Sequence, residues 1–277
     1  WQPASISRRV RIALFVMLIF TIAVISVTNR LLTDRFTEST RNRAELRIAL
    51  YGGNLLAELR QNAIVPQLLG RDPTLIAALE SADYSLSTQR LISFVEEIGA
   101  ASLMLLDMDG RTVAATDRNR IGAQHRAEAY FVDAIRSNST IFSVIRQESA
   151  GYRFFYSRRI QNGGTTVGVI AVEVDLKKFE RAWAGISDAV IVTNSSGEIL
   201  LATEPRWRGK TEAEALDNQT PQSAIERAIQ ATADWTALPP DAYLRGEAVM
   251  RLDARVNFRG WKMVSYTTYA SVRERVN

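Results

Sequence analysis

The chain has no cysteine and a single histidine in 277 residues. Without cysteine there is no disulfide framework, no thiolate metal site and no cysteine nucleophile. A lone His125 cannot form a metal triad without carboxylate help, and no Ser-His-Asp arrangement is readable. A glycine-rich phosphate loop is missing too, which removes nucleotide-cradling chemistry from this stretch. Asp107, Asp109 and Asp117 lack the spacing of a calcium loop and suit hairpin turns instead. The formal charge is +4, yet the arginines are scattered and no basic stripe with interleaved aromatics occurs. A nucleic-acid partner is therefore not expected. Nor is a catalytic site, a metal or a cofactor.

One long apolar run is present. Ile12 to Asn29, IALFVMLIFTIAVISVTN, carries no charged side chain, and a run of about 18 apolar residues suffices to cross a bilayer core. Arg8, Arg9 and Arg11 precede it, which sets that end in the cytoplasm. A cleaved signal peptide would have a shorter apolar core and a small-x-small cleavage site, whereas TNRLLTDRF follows here. The expectation is a cytoplasmic N-terminus over 1–11, an uncleaved transmembrane helix over 12–30, and everything after Arg30 outside the cytoplasmic membrane.

Beyond the anchor, Leu32, Phe36, Ala44, Ile48, Leu55 and Leu59 recur at roughly helical spacing. This predicts a long helix rising from the membrane, cut only at Gly52-Gly53. It opens a helical lead-in over 31–100 that also holds TLIAALES and STQRLISFVEEIGA. The apolar positions of the long helix predict a homodimer along Leu31 to Ile64, with Phe36, Ile48 and Leu55 at the contact.

An internal repeat follows. SLMLLDMDGRTVAATD (Ser102 to Asp117) and AVIVTNSSGEILLATE (Ala189 to Glu204) share one plan. Each has an apolar strand, Asp107 or Asn194 three residues before Gly110 or Gly197, and a second strand ending in Ala-Thr-acid. Asp or Asn before Gly at that spacing is hairpin chemistry, with Gly taking the left-handed position. Each copy leads through a helix-prone stretch into two more strands. In the first copy these are GYRFFYSRRIQNGGTTVGVIAVEVDL, two strands joined by the Asn162-Gly163-Gly164 turn; in the second they are GEAVMRLDARV and GWKMVSYTTY. The reading is an α+β chain: a membrane anchor helix, a long N-terminal helix, then two tandem antiparallel-sheet domains over 101–185 and 186–268. A polar helix start over 269–277 ends the chain.

This order resembles the tandem PAS-like (double Cache) sensor region of bacterial membrane receptors. More narrowly, IGAQHRAEAYFVDAI, FFYSRRI, VGVIAVEVDLKKFERAW and ATEPRWRGKT resemble the periplasmic region of the C4-dicarboxylate sensor histidine kinases. The resemblance implies an extracytoplasmic small-molecule sensor of a two-component system. It would lie in the bacterial inner membrane with its bulk periplasmic. It also implies a second membrane helix and an output domain after Asn277, through which a response regulator would be engaged. The same module on a chemoreceptor or a cyclic-dinucleotide enzyme is the alternative, and a non-sensing membrane-anchored domain is the third reading.

In sensors of this plan the ligand lies between the sheet face and the segment crossing it, here His125 to Tyr130 over the 151–176 hairpin. The expected ligand-binding residues are His125, Arg126, Glu128, Tyr130, Arg153, Phe155, Tyr156, Ser157 and Glu173. In the dicarboxylate sensors the stretch matching Ile121 to Phe131 usually carries an arginine that clamps a ligand carboxylate. Glu128 stands there in this chain. A lysine is usual where Glu173 stands. Either this site is lost and Glu128 and Glu173 are solvated surface acids, or they face inward and demand a positive ligand or a neighbouring arginine; the ligand class spans a dicarboxylate, an amino acid or an amine. The second domain offers no equivalent cluster, and Trp207 is expected to pack against its sheet.

Overall fold

The computed structural model describes residues 8–98, 102–147, 151–184, 189–217, 242–244 and 247–268. The expected helix start over 269–277 lies outside them. Helix α1 runs unbroken from Arg8 to Leu69, so Gly52-Gly53 does not cut it. Each glycine costs a helix about 1 kcal/mol relative to alanine. Leu55, Leu59, Val65 and Leu69 of the same helix are fully buried, and that packing outweighs the propensity. Pro66 removes one ladder bond but sits in the last turn, where little helix remains to break. Among the residues whose side chains are described, no helix is long and apolar enough to cross a membrane.

The same helix corrects the expected dimer contact. Ile48 and Leu55 are 3% and 0% exposed and belong to the chain's own core, whereas Leu46, Leu50, Ile64 and Leu68 stand out to solvent. Phe36's side chain lies outside the description. The period was right, but which stripe meets the core depends on the sheets, which the helix sequence does not contain.

Helices α2 (Pro73–Ser81) and α3 (Ser87–Ile98) follow. Asp72 starts α2: its Oδ1 accepts from the N–H of Thr74 and Leu75, while Arg90 of α3 binds Oδ2 at 2.8 Å. One buried carboxylate thus caps one helix and holds the next.

Strands β1 (Ser102–Leu106), β2 (Thr112–Ala115), β3 (Ile141–Gln147), β4 (Gly151–Asn162) and β5 (Thr165–Val174) form the first antiparallel sheet, in the order β2-β1-β5-β4-β3. Helix α4 (Ala129–Arg136) comes between β2 and β3. After α5 (Lys177–Ala184), strands β6 (Ala189–Thr193), β7 (Ile199–Ala202), β8 (Ala242–Leu244), β9 (Glu247–Arg255) and β10 (Lys262–Thr268) form the second, in the matching order β7-β6-β10-β9-β8. A short helix α6 (Glu212–Asp217) follows β7. The α+β class and the two sheets stand as read.

The repeat is physical. Asp107 Oδ1 accepts from the N–H of Asp109 and Arg111, and Asn194 Oδ1 from those of Ser196 and Glu198. Gly110 and Gly197 take φ of 78° and 84°, the left-handed region a side chain resists. The threonine of each Ala-Thr-acid end bonds back across the hairpin, Thr116 Oγ1 to Leu103 N and Thr203 Oγ1 to Val190 N. Each copy then turns through a 3-10 segment, Arg118–Arg120 and Pro205–Trp207.

Contacts group Ile48–Asn218 with Asp253–Ser265 into one compact unit. In it the first sheet has two covered faces. Tyr152, Phe154 and Tyr156 of β4 join the helical residues Leu55, Leu59, Leu75 and Leu91 in the main core. Phe155 turns the other way and meets Tyr130, Phe131 and Ala134 of α4. The alternation is the period of two. In the other unit Ala44, Met250 and Leu252 form a small cluster of their own.

Candidate functional site

The first sheet carries a charged cluster on its α4-side face. Phe155 pairs with Glu173 and Glu173 with Ser102 across three neighbouring strands. Arg153, two residues before Phe155, is therefore the diagonal neighbour of Glu173 on one face. Its guanidinium grips the carboxylate with both prongs, Nε to Oε1 and Nη2 to Oε2, each at 2.7 Å. Arg120, at the end of the 3-10 segment after β2, adds Nη1 to Oε2 at 2.7 Å. Asp117 stands 3.4 Å from Arg120 Nε, and its other oxygen accepts from Asn119 N–H. Burial works against the charge of Glu173, but Arg153 and then Arg120 outweigh it and hold the carboxyl below the usual carboxylate range.

A cavity of about 430 Å³ opens at this cluster and reaches around the end of the sheet, lined by Arg120, Arg153, Glu173 and Lys177 and, from the main core, by Tyr152 and Phe154. Beside the cluster lies an aromatic wall. Tyr130 stacks on Phe155 at 4.4 Å between centroids, and the Arg153 guanidinium lies over the same Phe155 ring, 4.8 Å from its centroid. Tyr130's hydroxyl meets His125 Nδ1 at 2.7 Å, and Ser157 Oγ donates to the Tyr130 carbonyl at 2.6 Å. Burial lowers the His125 pKa, with Glu128 opposing. Burial also pushes the Tyr130 hydroxyl well above the ordinary phenol range.

Of the expected residues, Arg153 and Glu173 line the cavity; His125, Tyr130, Phe155 and Ser157 form an aromatic stack and its support behind Arg153, outside the cavity lining. Glu128 is half-buried at the N-cap of α4, without a side-chain capping bond. Arg126 is exposed. Tyr156 is on the opposite face, packed against Phe142 at 4.9 Å, with its hydroxyl unpartnered. The alternation already separates Tyr156 from Phe155, and only one of the two can face α4.

Arg120 and Lys177, with Ser102 and Thr116 of the same lining, were missed. Arg120's signal was its place in the repeat, at the position Trp207 takes in the second copy.

The opposite face of the same strand has its own polar contact. Tyr152's hydroxyl donates to Glu198 Oε1 at 2.5 Å, and burial with this carboxylate pushes the phenol up to about 12. A second cavity, of about 510 Å³, lies there among Phe142, Arg146, Glu198, Arg259 and Trp261.

No known protein-family model matches the chain. Two curated proteins do, both C4-dicarboxylate transport sensor proteins DctB. That of Pseudomonas aeruginosa is 26% identical over 200 residues, covering 69% of this chain and 32% of its own length. That of Rhizobium meliloti is 25% identical over 232 residues, covering 76% and 37%. The chain is homologous to the DctB C4-dicarboxylate sensor kinases. It spans about a third of the length of these relatives. Among solved structures, the sensor domain of the V. cholerae histidine kinase DctB superposes with a TM-score of 0.60 at 20% identity, covering 82% of this chain and 96% of that one. The ligand-binding domain of the Pseudomonas aeruginosa amino-acid chemoreceptor PctC, in complex with GABA, gives 0.59 at 18%, covering 82% and 99%. That of the Pseudomonas fluorescens chemoreceptor CtaA with L-serine gives 0.59 at 13%, covering 84% and 99%. The fold is the Cache-like, PAS-like fold of these sensor regions.

Proposed function

We propose that the chain is the periplasmic small-molecule sensing region of a two-component sensor histidine kinase, with its ligand bound in the cavity beside Arg120 and Arg153. The single observation that carries this is the arginine pair over a sheet face, next to an aromatic wall, in a chain homologous to DctB. A concave site with a few convergent polar groups is what a small ligand needs. DctB relatives point to a carboxylate ligand, and the neighbours solved with GABA and L-serine point to an amine or amino acid. Residues 101–185 are the ligand-binding domain in this reading, and 186–268 the membrane-proximal domain that relays the signal.

The apolar run over 12–30 anchors the chain in the inner membrane in a single span as given. The protein acts as a homodimer, and a response regulator is engaged through an output domain. The exposed stripe Leu46, Leu50, Ile64 and Leu68 replaces Ile48 and Leu55 as the dimer seam. Chemoreceptor ligand-binding domains superpose about as well as the DctB sensor domain, which favours a chemoreceptor as the second reading for the output.

A thermal-shift panel of succinate, L-malate, L-serine, L-alanine and GABA tests the sensing reading. At least one member raises the melting temperature of the wild-type chain, and Arg153→Ala removes the shift. Failure of every member, over concentrations from micromolar to tens of millimolar, would count against a sensor for this ligand class.

A further inference from the structure

Glu173 sits where a ligand carboxylate would be held. Both prongs of Arg153 and one nitrogen of Arg120 converge on its two oxygens, the bidentate geometry that arginine uses for carboxylates generally. Three acceptor positions of a group with about four are already taken. The cavity's charges are also balanced. Arg120, Arg153 and Lys177 face Asp117, Glu173 and Asp175 around it. A dianion entering this space meets no surplus positive charge and finds the fork filled. A molecule of zero net charge, with an ammonium and a carboxylate, exchanges one charge of each sign with the lining and leaves the balance intact.

We infer that Glu173 is a resident carboxylate that occupies the arginine fork, restricting the cavity to ligands of zero net charge and excluding dicarboxylates. The inference rests on the reading of this cavity as the ligand site and deepens it by naming a class. Of the two ways to satisfy an inward acid at this place, a positive ligand or a neighbouring arginine, Glu173 takes the arginines. Removing the side chain then creates an anion site instead of destroying a cation site.

The test is chemical rescue in the full chain, with acetate and succinate as probes against chloride at equal ionic strength. Wild type shows no melting-temperature change with either acid. Glu173→Ala starts several degrees lower and recovers by roughly 5 °C or more at about a hundredfold excess over the dissociation constant. Arg153→Ala/Glu173→Ala shows no recovery. Should Glu173→Ala fail to fold, Glu173→Gln keeps the shape and gives a smaller gain with succinate. The inference is overturned if succinate stabilises wild type, or if neither variant gains with either acid. The panel on wild type separates the two claims. Rescue of Glu173→Ala with no wild-type response to serine, alanine or GABA keeps the resident carboxylate and removes the amino-acid sensor. A wild-type response to those amino acids without rescue does the opposite.

Discussion

The two copies of the β-hairpin corner share a backbone plan but few side chains, and they end on different residues. Asp107 and Asn194 close the same turn, Thr116 and Thr203 make the same back-bond, and both copies pass into a 3-10 segment. The last residue of that segment is Arg120 in the first copy and Trp207 in the second. Arg120 reaches across to Glu173 and borders a cavity. Trp207 is 3% exposed and fills its corner with an indole. The same backbone thus ends on an arginine beside a cavity in the first copy and on a buried indole in the second, where the next residue, Arg208, is paired with Glu180. The shared turn is framework; the differing residue is where binding is expected.

Substitutions at that position break the comparison most sharply. Trp207→Ala should cost about 3–5 kcal/mol, because a buried indole leaves a cavity behind, and urea unfolding would show it as a large drop in midpoint. Arg120→Ala removes no core volume and should cost about 1 kcal/mol, while weakening any ligand that the panel finds. Equal losses at the two positions would mean that Arg120 is packing and not a binding group.

Next in size, Arg153→Ala should cost about 2 kcal/mol, since it leaves a part-buried carboxylate with only Arg120. Circular dichroism melts at neutral pH measure it. The same pair sets a pH dependence. Glu173's folded pKa lies below its ordinary value, so its contribution is full above about pH 4.5 and is lost as pH falls through the folded value. Wild type should therefore lose stability below pH 4.5 more steeply than Glu173→Gln. Parallel acid titrations would refute the pairing.

Smallest is the effect at the shared part. Thr116→Val and Thr203→Val should each cost about 1 kcal/mol, and by similar amounts, because each removes the same back-bond. Denaturant midpoints that differ widely between the two would show that the copies are alike in outline only.

What could be read from the chain alone follows the same division. Asp107-x-x-Gly110 and Asn194-x-x-Gly197 were legible because turn chemistry is local, and the ordered repeat carried the two sheets with it. Arg153 and Phe155 were legible because a strand alternates. Arg120 was not, for its role depends on Glu173 arriving beside β1 from a strand far along the chain. For Glu173 the sequence left a positive ligand or a neighbouring arginine open and could not say which, since its two partners lie on β4 and the 3-10 segment. The face of α1 was misjudged for the same reason, because a helix shows its stripe but not what will cover it.

The central claim is that ligand binds at the first corner and not the second. A crystal structure of the chain with whichever panel member raises its melting temperature tests this most directly. One ordered ligand is expected in the cavity beside the Glu173–Arg153–Arg120 cluster, bordered by Asp117, Asp175 and Lys177, with the corner at Trp207 unchanged. Ligand density beside Trp207, or in the cavity of Phe142, Arg259 and Trp261 with the first corner empty, would contradict it.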